Sequence, residues 1–340
     1  MNITGYTKQQ LIELIEENRT RLAPALREAA FSVREQYYGR KVYFRGLIEF
    51  TNYCKNDCYY CGIRRGNRHA VRYRLTEEQI LECCAEGYRL GFRTFVLQGG
   101  EDGGFAESKL CGIISAIKAR YPDCAVTLSV GERDRAVYQA FFDAGADRYL
   151  LRHETATELH YTKLHPSELQ LEHRKQCLYE LKEIGFQVGA GFMVGSPYQT
   201  TENLAEDLLF LRDLQPHMVG LGPFVPHKDT RFAQEPAGTL ELTLTMLALT
   251  RLTLPKVLLP ATTALGTIAE NGRELAFSCG ANVVMPNLSP ADVRGAYLLY
   301  DNKANTGDEA AEGVRHLEER IRKSGFVPDF SRGDAYGFEI

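Results

Sequence analysis

The sequence predicts an α/β protein built as a (β/α)8 barrel of the TIM type. The main observation is a rhythm of eight short apolar runs, most of them separated by segments with helical patterning. Several runs are continuously hydrophobic, as parallel strands buried on both faces are. The alternative is an open doubly wound sheet, but no G-x-G-x-x-G motif follows a strand, which favours the barrel. The runs comprise residues 46–51, 94–99, 125–130, 148–153, 187–194, 218–224, 257–264 and 282–286.

Capping signals support the helices between these runs. Thr76 followed by Gln79 is a capping box, in which the two side chains bond to opposing backbone amides. An apolar face predicts another helix over 200–214, and Ser289 before Pro290 predicts a capped helix start. Four glycines stand where helices are predicted to end; these are Gly87, Gly91, Gly145 and Gly185.

The chain divides into three predicted regions. Residues 1–44 are expected to form an N-terminal helical extension, residues 45–300 the barrel, and residues 301–340 a C-terminal tail that closes it. Within the tail, residues 301–313 are rich in Asn, Asp, Glu and Gly, which predicts a flexible connection.

Composition excludes several classes of function. The 40 basic and 44 acidic residues nearly balance, which argues against binding nucleic acid through bulk charge. No apolar run approaches the ~20 residues that span a bilayer, so no membrane association is expected. Nine cysteines in a long chain with no export signal do not suit a secreted disulfide framework. The sequence therefore predicts a cytoplasmic protein in which some cysteines bind metal.

A cysteine cluster follows the first predicted strand. Cys54, Cys58 and Cys61 form a C-x3-C-x2-C pattern with the aromatic Tyr60 directly before the last cysteine. Three thiolates within eight residues indicate one soft metal centre. A structural zinc site completed by His69 or a distant residue is the alternative, although the fourth ligand is badly spaced. A three-cysteine [4Fe–4S] cluster would instead leave one iron open to a chelating molecule.

This motif, placed after the first barrel strand, resembles that of the radical S-adenosylmethionine (radical SAM) superfamily. The resemblance implies that the three thiolates hold a [4Fe–4S] cluster and that SAM chelates the fourth iron. One-electron reduction then cleaves SAM to a 5′-deoxyadenosyl radical, so the protein is expected to be an enzyme. Other reactions within the superfamily, as in methylornithine synthase or biotin synthase, remain alternatives, as does a non-catalytic zinc scaffold.

Within the superfamily the chain is most similar to the HydE family, the maturases of [FeFe]-hydrogenase. Residues 152–156 and 260–264 are the most discriminating matches, and the resemblance extends to about residue 300. It implies an iron–cysteine–CO–CN precursor as the substrate during assembly of the hydrogenase H-cluster. The implied partners are other hydrogenase maturases and a ferredoxin-type electron donor.

The resemblance also implies which residues bind SAM. Gly99, Gly100 and Glu101 end the second strand and are similar to the Gly-Gly-Glu element that contacts the SAM amino group. Glu154 and Arg174 would also contact SAM, with Arg174 taking its carboxylate. Without the resemblance, Arg174 is as well explained by a solvated charge on a helix over 167–184. The implied cofactor-binding set is Tyr60, Gly99, Gly100, Glu101, Glu154 and Arg174.

A second set of residues is implied at the substrate end of the barrel. A guanidinium facing two hydroxyls suits the carboxylate of an amino-acid-like ligand. The two adjacent threonines of this set are also explained by ordinary strand propensity. The set is Arg152, Thr262, Thr263 and Tyr300, with Gln98, Thr127 and Met285 nearby.

One departure from the family pattern concerns a second iron–sulfur cluster. Many members carry three further cysteines in the C-terminal segment, but residues 305–316 contain none. The second cluster is therefore expected to be absent. Buried packing is the prediction for the other cysteines, which are Cys83, Cys84, Cys111, Cys124, Cys177 and Cys279.

Overall fold

The computed structural model of the chain describes residue 1, residues 3–303 and residues 310–338. The helices are α1 (Lys8–Asn18), α2 (Pro24–Tyr38), α3 (Glu77–Arg89), α4 (Glu107–Arg120), α5 (Arg135–Asp143), α6 (Glu158–Leu164), α7 (Leu171–Ile184), α8 (Thr201–Leu214), α9 (Leu240–Thr253), α10 (Thr263–Ile268), α11 (Gly272–Ser278), α12 (Ala291–Arg294) and α13 (Ala310–Lys323). The strands are β1 (Lys41–Phe44), β2 (Gly46–Thr51), β3 (Thr94–Gly99), β4 (Ala125–Ser129), β5 (Arg148–Leu150), β6 (Gln187–Ala190), β7 (Met193–Val194), β8 (Met218–Val219), β9 (Gly222–Pro223), β10 (Val283–Val284) and β11 (Val327–Asp329).

Eight parallel segments close into a ring. Six of them pair side by side in the order β2-β3-β4-β5-β6-β8. The seventh position is filled by Leu258, which bridges to β8, and by Pro260, which bridges to β10. The chain after β10 returns to β2, where Asn287 bridges to Leu47. The predicted (β/α)8 barrel is therefore confirmed.

Three of the predicted runs are less regular than expected. The runs over 187–194 and 218–224 each split into two strands, so that β7 and β9 form a separate two-stranded parallel sheet. The chain bends at Gly191, where φ is +157° and a Cβ would lie 2.0 Å from the carbonyl oxygen of Gly220. The run over 257–264 contributes only bridges, because Pro260 has no N–H to donate and α10 begins at Thr263.

The predicted helix starts are confirmed at Thr76 and Thr200 and wrong at Ser289. Thr76 and Thr200 are the N-caps of α3 and α8, and both form complete capping boxes. Helix α12 instead begins after Pro290 without a side-chain cap. The Ser289 hydroxyl accepts a hydrogen bond from the backbone N–H of Glu49, 2.8 Å away, and so contacts β2.

Three of the four glycines predicted to end helices do so. Gly91, Gly145 and Gly185 follow α3, α5 and α7 with φ between +97° and +114°. Gly87 lies inside α3, so that prediction was wrong. A Cβ on Gly87 would lie 2.6 Å from Leu288 Cδ1, which shows that close packing is what requires glycine there.

The segments outside the barrel cover its sides and one end. Helices α1 and α2 pack against α8 and α9. The last residues of the predicted helical extension instead form β1, which pairs in parallel with β10 and β11. Helix α13 and β11 belong to the C-terminal tail. The predicted flexible connection over 301–313 lies partly outside the described residues, at 304–309.

A network of charges crosses the N-terminal ends of the strands. Arg148, at the start of β5, is 2.5 Å from the carboxylate of Asp334. Arg332 pairs with Asp147 at 3.0 Å, and its carbonyl oxygen accepts from Thr94 at the start of β3. Gln187 of β6 donates to Asp334 at 2.6 Å. Residues 332–334 therefore lie across the lower end of the barrel.

Most of the remaining cysteines match the prediction of buried packing. Five of the six cysteines outside the motif are buried, and Cys111 is half-buried. In the part of the chain that the structure describes, no helix has the length and apolar character needed to cross a membrane.

Candidate active site

A cavity of about 410 Å³ opens at the C-terminal ends of the barrel strands. This is the end at which α/β barrels carry their active sites, because the loops after the strands converge there. Residues that follow β2, β3, β4 and β5 all line the cavity, together with residues from the seventh and eighth positions of the ring. Most of the residues predicted for the site are therefore brought together in one place.

The three motif cysteines lie on the loop after β2 and line this cavity. The loop is held in place by distant parts of the chain. Lys55 N–H donates to the carbonyl of Glu101 and Gly62 N–H to that of Leu299, each at 2.9 Å. Asn52 donates through its side chain to the carbonyl of Ala296 at 2.7 Å. The conformation of the loop thus depends on residues that follow the eighth strand.

The donor set fits a [4Fe–4S] cluster. Burial raises the pKa of all three thiols, for Cys61 to about 12, and a bound metal cation would offset the buried charge of the thiolates. Among the described residues, no three His, Cys, Asp or Glu side chains stand close enough to hold one metal ion. Each thiolate of a cluster binds its own iron, so cluster ligands stand farther apart than the ligands of one ion.

The residue considered for a zinc site does not join the cysteines. The His69 side chain is 77% exposed, and its Nδ1 lies 2.8 Å from the Asp229 carboxylate. Nor does His69 line the cavity. Nothing in its position favours the zinc interpretation.

Gly99, Gly100 and Glu101 lie beside the cysteine loop. A Cβ on Gly100 would lie 2.2 Å from the carbonyl oxygen of Tyr53, so only glycine allows this close approach. The buried Glu101 carboxylate accepts from the backbone N–H of Glu132 at 3.0 Å and pairs with Lys55 at 3.1 Å. These contacts hold the carboxylate at the cavity wall.

Arg152 and Glu154 project into the cavity from the segment after β5. Their side chains form an ion pair with 3.0 Å between Arg152 Nη2 and Glu154 Oε2. Glu154 has φ of +65°, a left-handed conformation that costs a residue other than glycine about 1–3 kcal/mol. Such a conformation persists only where the surrounding contacts enforce it.

Arg174 is buried at the start of α7 and not on a solvated surface. It lines the cavity, and its guanidinium pairs with the Glu132 carboxylate and donates to the carbonyl of Arg152 at 2.9 Å. Helix α7 begins at Leu171, later than predicted. Glu132 was not predicted, although it stands just after β4, where charged residues of a barrel signal a site.

The residues predicted for the substrate end all line this cavity. Thr262, Thr263 and Tyr300 line the cavity with Arg152, and so does Arg273, which the sequence did not reveal. Arg273 donates to the Thr263 hydroxyl at 3.3 Å. Burial raises the pKa of Tyr300 to about 12. Among the described residues, Arg152 Nε, Arg273 Nε and Thr262 Oγ1 are buried without a hydrogen-bond partner.

The three residues predicted nearby divide between two places. Gln98 and Met285 line the main cavity. Thr127 instead borders a separate void of about 10 Å³ lower in the barrel, beside Arg45 and Arg148. The structure therefore does not bring Thr127 to the cavity.

The cavity is also lined by a buried ion pair that the sequence did not predict. Glu49 of β2 pairs with Lys303, with 2.5 Å between Oε1 and Nζ, and accepts from Asn287 at 2.7 Å. Burial raises the pKa of the Glu49 carboxyl despite these partners. No sequence signal links Glu49 with Lys303, since 254 positions separate them.

Comparison with known proteins identifies the family. The model of the radical SAM superfamily matches residues 48–211. The chain is also 46% identical over 298 residues to the [FeFe] hydrogenase maturase subunit HydE of Thermotoga maritima, a match that covers 88% of this chain and 85% of that protein. The chain belongs to the radical SAM superfamily.

More distant similarities to methylornithine synthases extend over nearly the whole chain. The 3-methylornithine synthase of Methanosarcina barkeri is 28% identical over 338 residues, covering 96% of this chain and 93% of that protein. A crystal structure of methylornithine synthase (PylB) superposes with a TM-score of 0.83 at 25% identity, covering 96% of both chains. These similarities agree with the barrel and with the radical SAM assignment.

Membership settles the class of the protein. The chain is a radical SAM enzyme and a HydE homologue, as the sequence predicted. The superfamily implies a [4Fe–4S] cluster and SAM as cofactors. The expected absence of a second cluster stays a prediction.

Proposed function

We propose that this radical SAM enzyme is a maturase of [FeFe]-hydrogenase that acts on an iron–cysteine–CO–CN precursor during assembly of the H-cluster. The observation that carries the proposal is the 46% identity to a HydE subunit over 88% of the chain. The discriminating segments 152–156 and 260–264 both contribute to the cavity, which supports a shared reaction. Other hydrogenase maturases and a ferredoxin-type electron donor, in the cytoplasm, are the proposed partners.

In this proposal Cys54, Cys58 and Cys61 hold the cluster. When bound, the cluster supplies one electron and SAM supplies the 5′-deoxyadenosyl radical. The barrel keeps water and stray C–H bonds away from the reacting atoms, because the cavity wall is made of packed strands and buried side chains. Since residues 305–316 contain no cysteine, we propose that no second cluster is present.

A group of residues around the cysteine loop orients SAM. The Glu101 carboxylate, held by Lys55 and a backbone amide, accepts from the SAM ammonium. Arg174 offers its guanidinium to the SAM carboxylate, and its pair with Glu132 fixes the direction in which it points. The proposed set is completed by Tyr60, Gly99, Gly100 and Glu154.

A second group of cavity residues orients the substrate. Arg152, Thr262 and Arg273 carry buried polar atoms without partners among the described residues, and an anionic ligand group would satisfy them. Thr263 and Tyr300 complete this group, and Gln98 and Met285 also line the cavity. The resemblance also implies Thr127, but this residue borders the lower void and does not line the cavity.

The first experiment tests radical SAM chemistry and the maturase reaction together. Anaerobically reconstituted protein should bind about four irons per chain, as one cubane cluster does. It should cleave SAM when reduced and support activation of an [FeFe]-hydrogenase in a maturation assay. Stoichiometric zinc in place of iron would contradict the cluster assignment. Cleavage of SAM without any support of hydrogenase activation would contradict the maturase role.

A matched pair of cysteine variants locates the chemistry. Cys58→Ala should abolish reductive cleavage of SAM, because it removes a thiolate of the cluster. Cys84→Ala removes a thiol that is buried in α3 away from the cavity, and should leave cleavage intact. Cleavage retained in Cys58→Ala would overturn the assignment of the cluster ligands.

A further inference from the structure

Two buried residues with no assigned role, Asp207 and His153, lie on the side of the segment from Arg152 to Ala156 that faces away from the cavity. Arg152 and Glu154 face the cavity, whereas His153 between them faces the protein interior. His153 contacts Asp207 of α8, and both side chains are fully buried. Neither residue lines the cavity, so neither can touch a ligand there.

Asp207 binds the segment at two points through one oxygen. Its Oδ1 accepts from the backbone N–H of Ala156 at 2.6 Å and lies 3.2 Å from His153 Nε2. Among the described residues, its Oδ2 has no hydrogen-bond partner. The carboxyl group therefore acts through a single acceptor atom.

His153 links Asp207 to the neighbouring strand segment. Its Nδ1 accepts from the backbone N–H of Gly191 at 3.3 Å, so a neutral ring carries its proton on Nε2 and donates to Asp207. Burial lowers the pKa of His153 and raises that of Asp207, which favours a neutral pair. The same strand segment bonds Glu154 at both ends, since Glu154 N–H donates to Gly191 and its carbonyl accepts from Met193.

We propose that Asp207 and His153 are positioning residues that hold Arg152–Ala156 in the one backbone conformation that directs both Arg152 and Glu154 into the cavity. The left-handed φ of Glu154 is what needs this support. Because Glu154 is assigned to SAM, the expected effect on SAM binding rests on the proposed function. The support of the backbone itself does not.

Two variants of Asp207 distinguish the effect of its acceptor oxygen from the effect of its side-chain volume. Asp207→Leu removes the acceptor and keeps an apolar side chain of similar size. Asp207→Asn keeps the accepting oxygen and matches the neutral acid in shape and charge. If Asp207→Leu does not fold, His153→Phe carries the test, because it keeps the ring against Phe210 and removes both nitrogens.

A matched control variant is available in α1. Asn18 is buried and does not line the cavity; its side-chain oxygen accepts from the backbone N–H of Ala23 and its side-chain nitrogen donates to the carbonyl of Leu14, each at 2.9 Å. Asn18→Leu therefore removes the same kind of bond and measures the purely structural cost.

The first measurement is hydrogen exchange in the protein without SAM. Protection of the Ala156 and Glu154 amides should fall in Asp207→Leu and in His153→Phe, and should persist in Asp207→Asn and in Asn18→Leu. Unchanged protection in both Asp207→Leu and His153→Phe would overturn the proposal.

The second measurement is the affinity of the cluster-loaded protein for SAM, together with kcat and KM for its cleavage. Misdirection of Glu154 should weaken SAM binding about ten- to a hundredfold in Asp207→Leu, with KM rising more than kcat falls. Asp207→Asn and Asn18→Leu should stay near the wild-type affinity. An equal loss of affinity in Asn18→Leu would reduce the effect to general destabilisation and overturn the proposal.

The two measurements also separate this inference from the proposed function. Lost amide protection with unchanged SAM affinity would support positioning by Asp207 and remove Glu154 from the SAM contacts. A wild-type protein that fails to cleave SAM would contradict the proposed function, while hydrogen exchange would still decide the positioning.

Discussion

At the scale of single residues, several polar atoms of the residues that line the cavity are buried and have no hydrogen-bond partner in the described structure. Thr262 Oγ1, Arg152 Nε and Arg273 Nε have no hydrogen-bond partner among the described residues. Each such atom costs stability of about 1–3 kcal/mol in a folded protein. A ligand in the cavity that accepts and donates hydrogen bonds would satisfy these three atoms.

Replacement of Thr262 by Val tests this interpretation. The substitution keeps the side-chain shape and removes a hydroxyl that has no partner, so we expect the free energy of unfolding to stay level or to rise by about 1 kcal/mol. Substrate-dependent formation of 5′-deoxyadenosine should fall about tenfold, the effect of a lost bond of about 1.4 kcal/mol. SAM affinity should not change.

Thr253→Val is the matched control. Thr253 Oγ1 is also buried without a partner in the described structure, but it lies at the end of α9 and does not line the cavity. Thr253→Val should change the free energy of unfolding, measured with urea, as Thr262→Val does. Its rate of substrate-dependent 5′-deoxyadenosine formation should equal that of the wild type. The same turnover in the two variants would show that the Thr262 hydroxyl has no role in substrate binding.

The sequence could predict the site residues that belong to short motifs. The cysteine spacing and the Gly99–Glu101 element are local patterns, and each stands just after a strand. The supporting partners could not be predicted, because each of these side-chain pairs joins distant positions. Glu49 reaches Lys303 and Asp207 reaches His153 only once the ring is closed.

At the scale of elements, helix α3 shows how packing overrides helix propensity. Gly87 stands in the last turn of α3, where alanine would form a better helix. An alanine Cβ would lie 2.6 Å from Leu288 Cδ1 and 2.9 Å from Phe95 Cε1. A side chain at this point would therefore require Leu288 or Phe95 to shift.

Two glycine-to-alanine variants separate packing from propensity. Gly87→Ala should lower the free energy of unfolding by about 1–3 kcal/mol, because the core must shift to admit the methyl group. Gly112 lies on the exposed face of α4, and a Cβ there would have nothing within 4 Å. Gly112→Ala should therefore raise the free energy of unfolding by about 0.5–1 kcal/mol. Chemical denaturation measures both. Stabilisation by Gly87→Ala would refute the packing argument.

The same distinction explains which elements the sequence could predict. The capping boxes of Thr76 and Thr200 involve residues three positions apart, so local patterns reveal them. Ser289 has the residue type of a cap but bonds to β2, which lies 240 positions earlier. The pairing of β1 with β10 and β11 is likewise non-local, and only the folded structure shows it.

At the scale of the whole molecule, the lower end of the barrel depends on charges that the C-terminal segment provides. Asp334 lies between Arg148 and Arg332 and accepts from Gln187. Burial alone would raise the pKa of Asp334, but these partners hold it well below its usual range. The segment thus ties β5 and β6 together from below.

Stability should therefore depend on pH through Asp334. A carboxyl whose pKa is lowered by folding stabilises the protein above its unfolded pKa of about 3.9, and loses that contribution as the pH falls through the folded value. Asp334→Asn should lower the free energy of unfolding by about 1.5–3 kcal/mol at pH 6. The difference from wild type should shrink steadily below about pH 4. A difference that is constant from pH 6 to pH 3 would contradict the assignment.

The contacts of the cysteine loop also set an order of events during synthesis. The three cysteines leave the ribosome within the first fifth of the 340 residues. The carbonyls that accept from Asn52 and Gly62 belong to Ala296 and Leu299, which lie more than 230 positions after the last of the three cysteines. A nascent chain therefore displays three thiols long before it can build the loop that holds them. The loop can therefore take its final conformation only after this later part of the chain has been made.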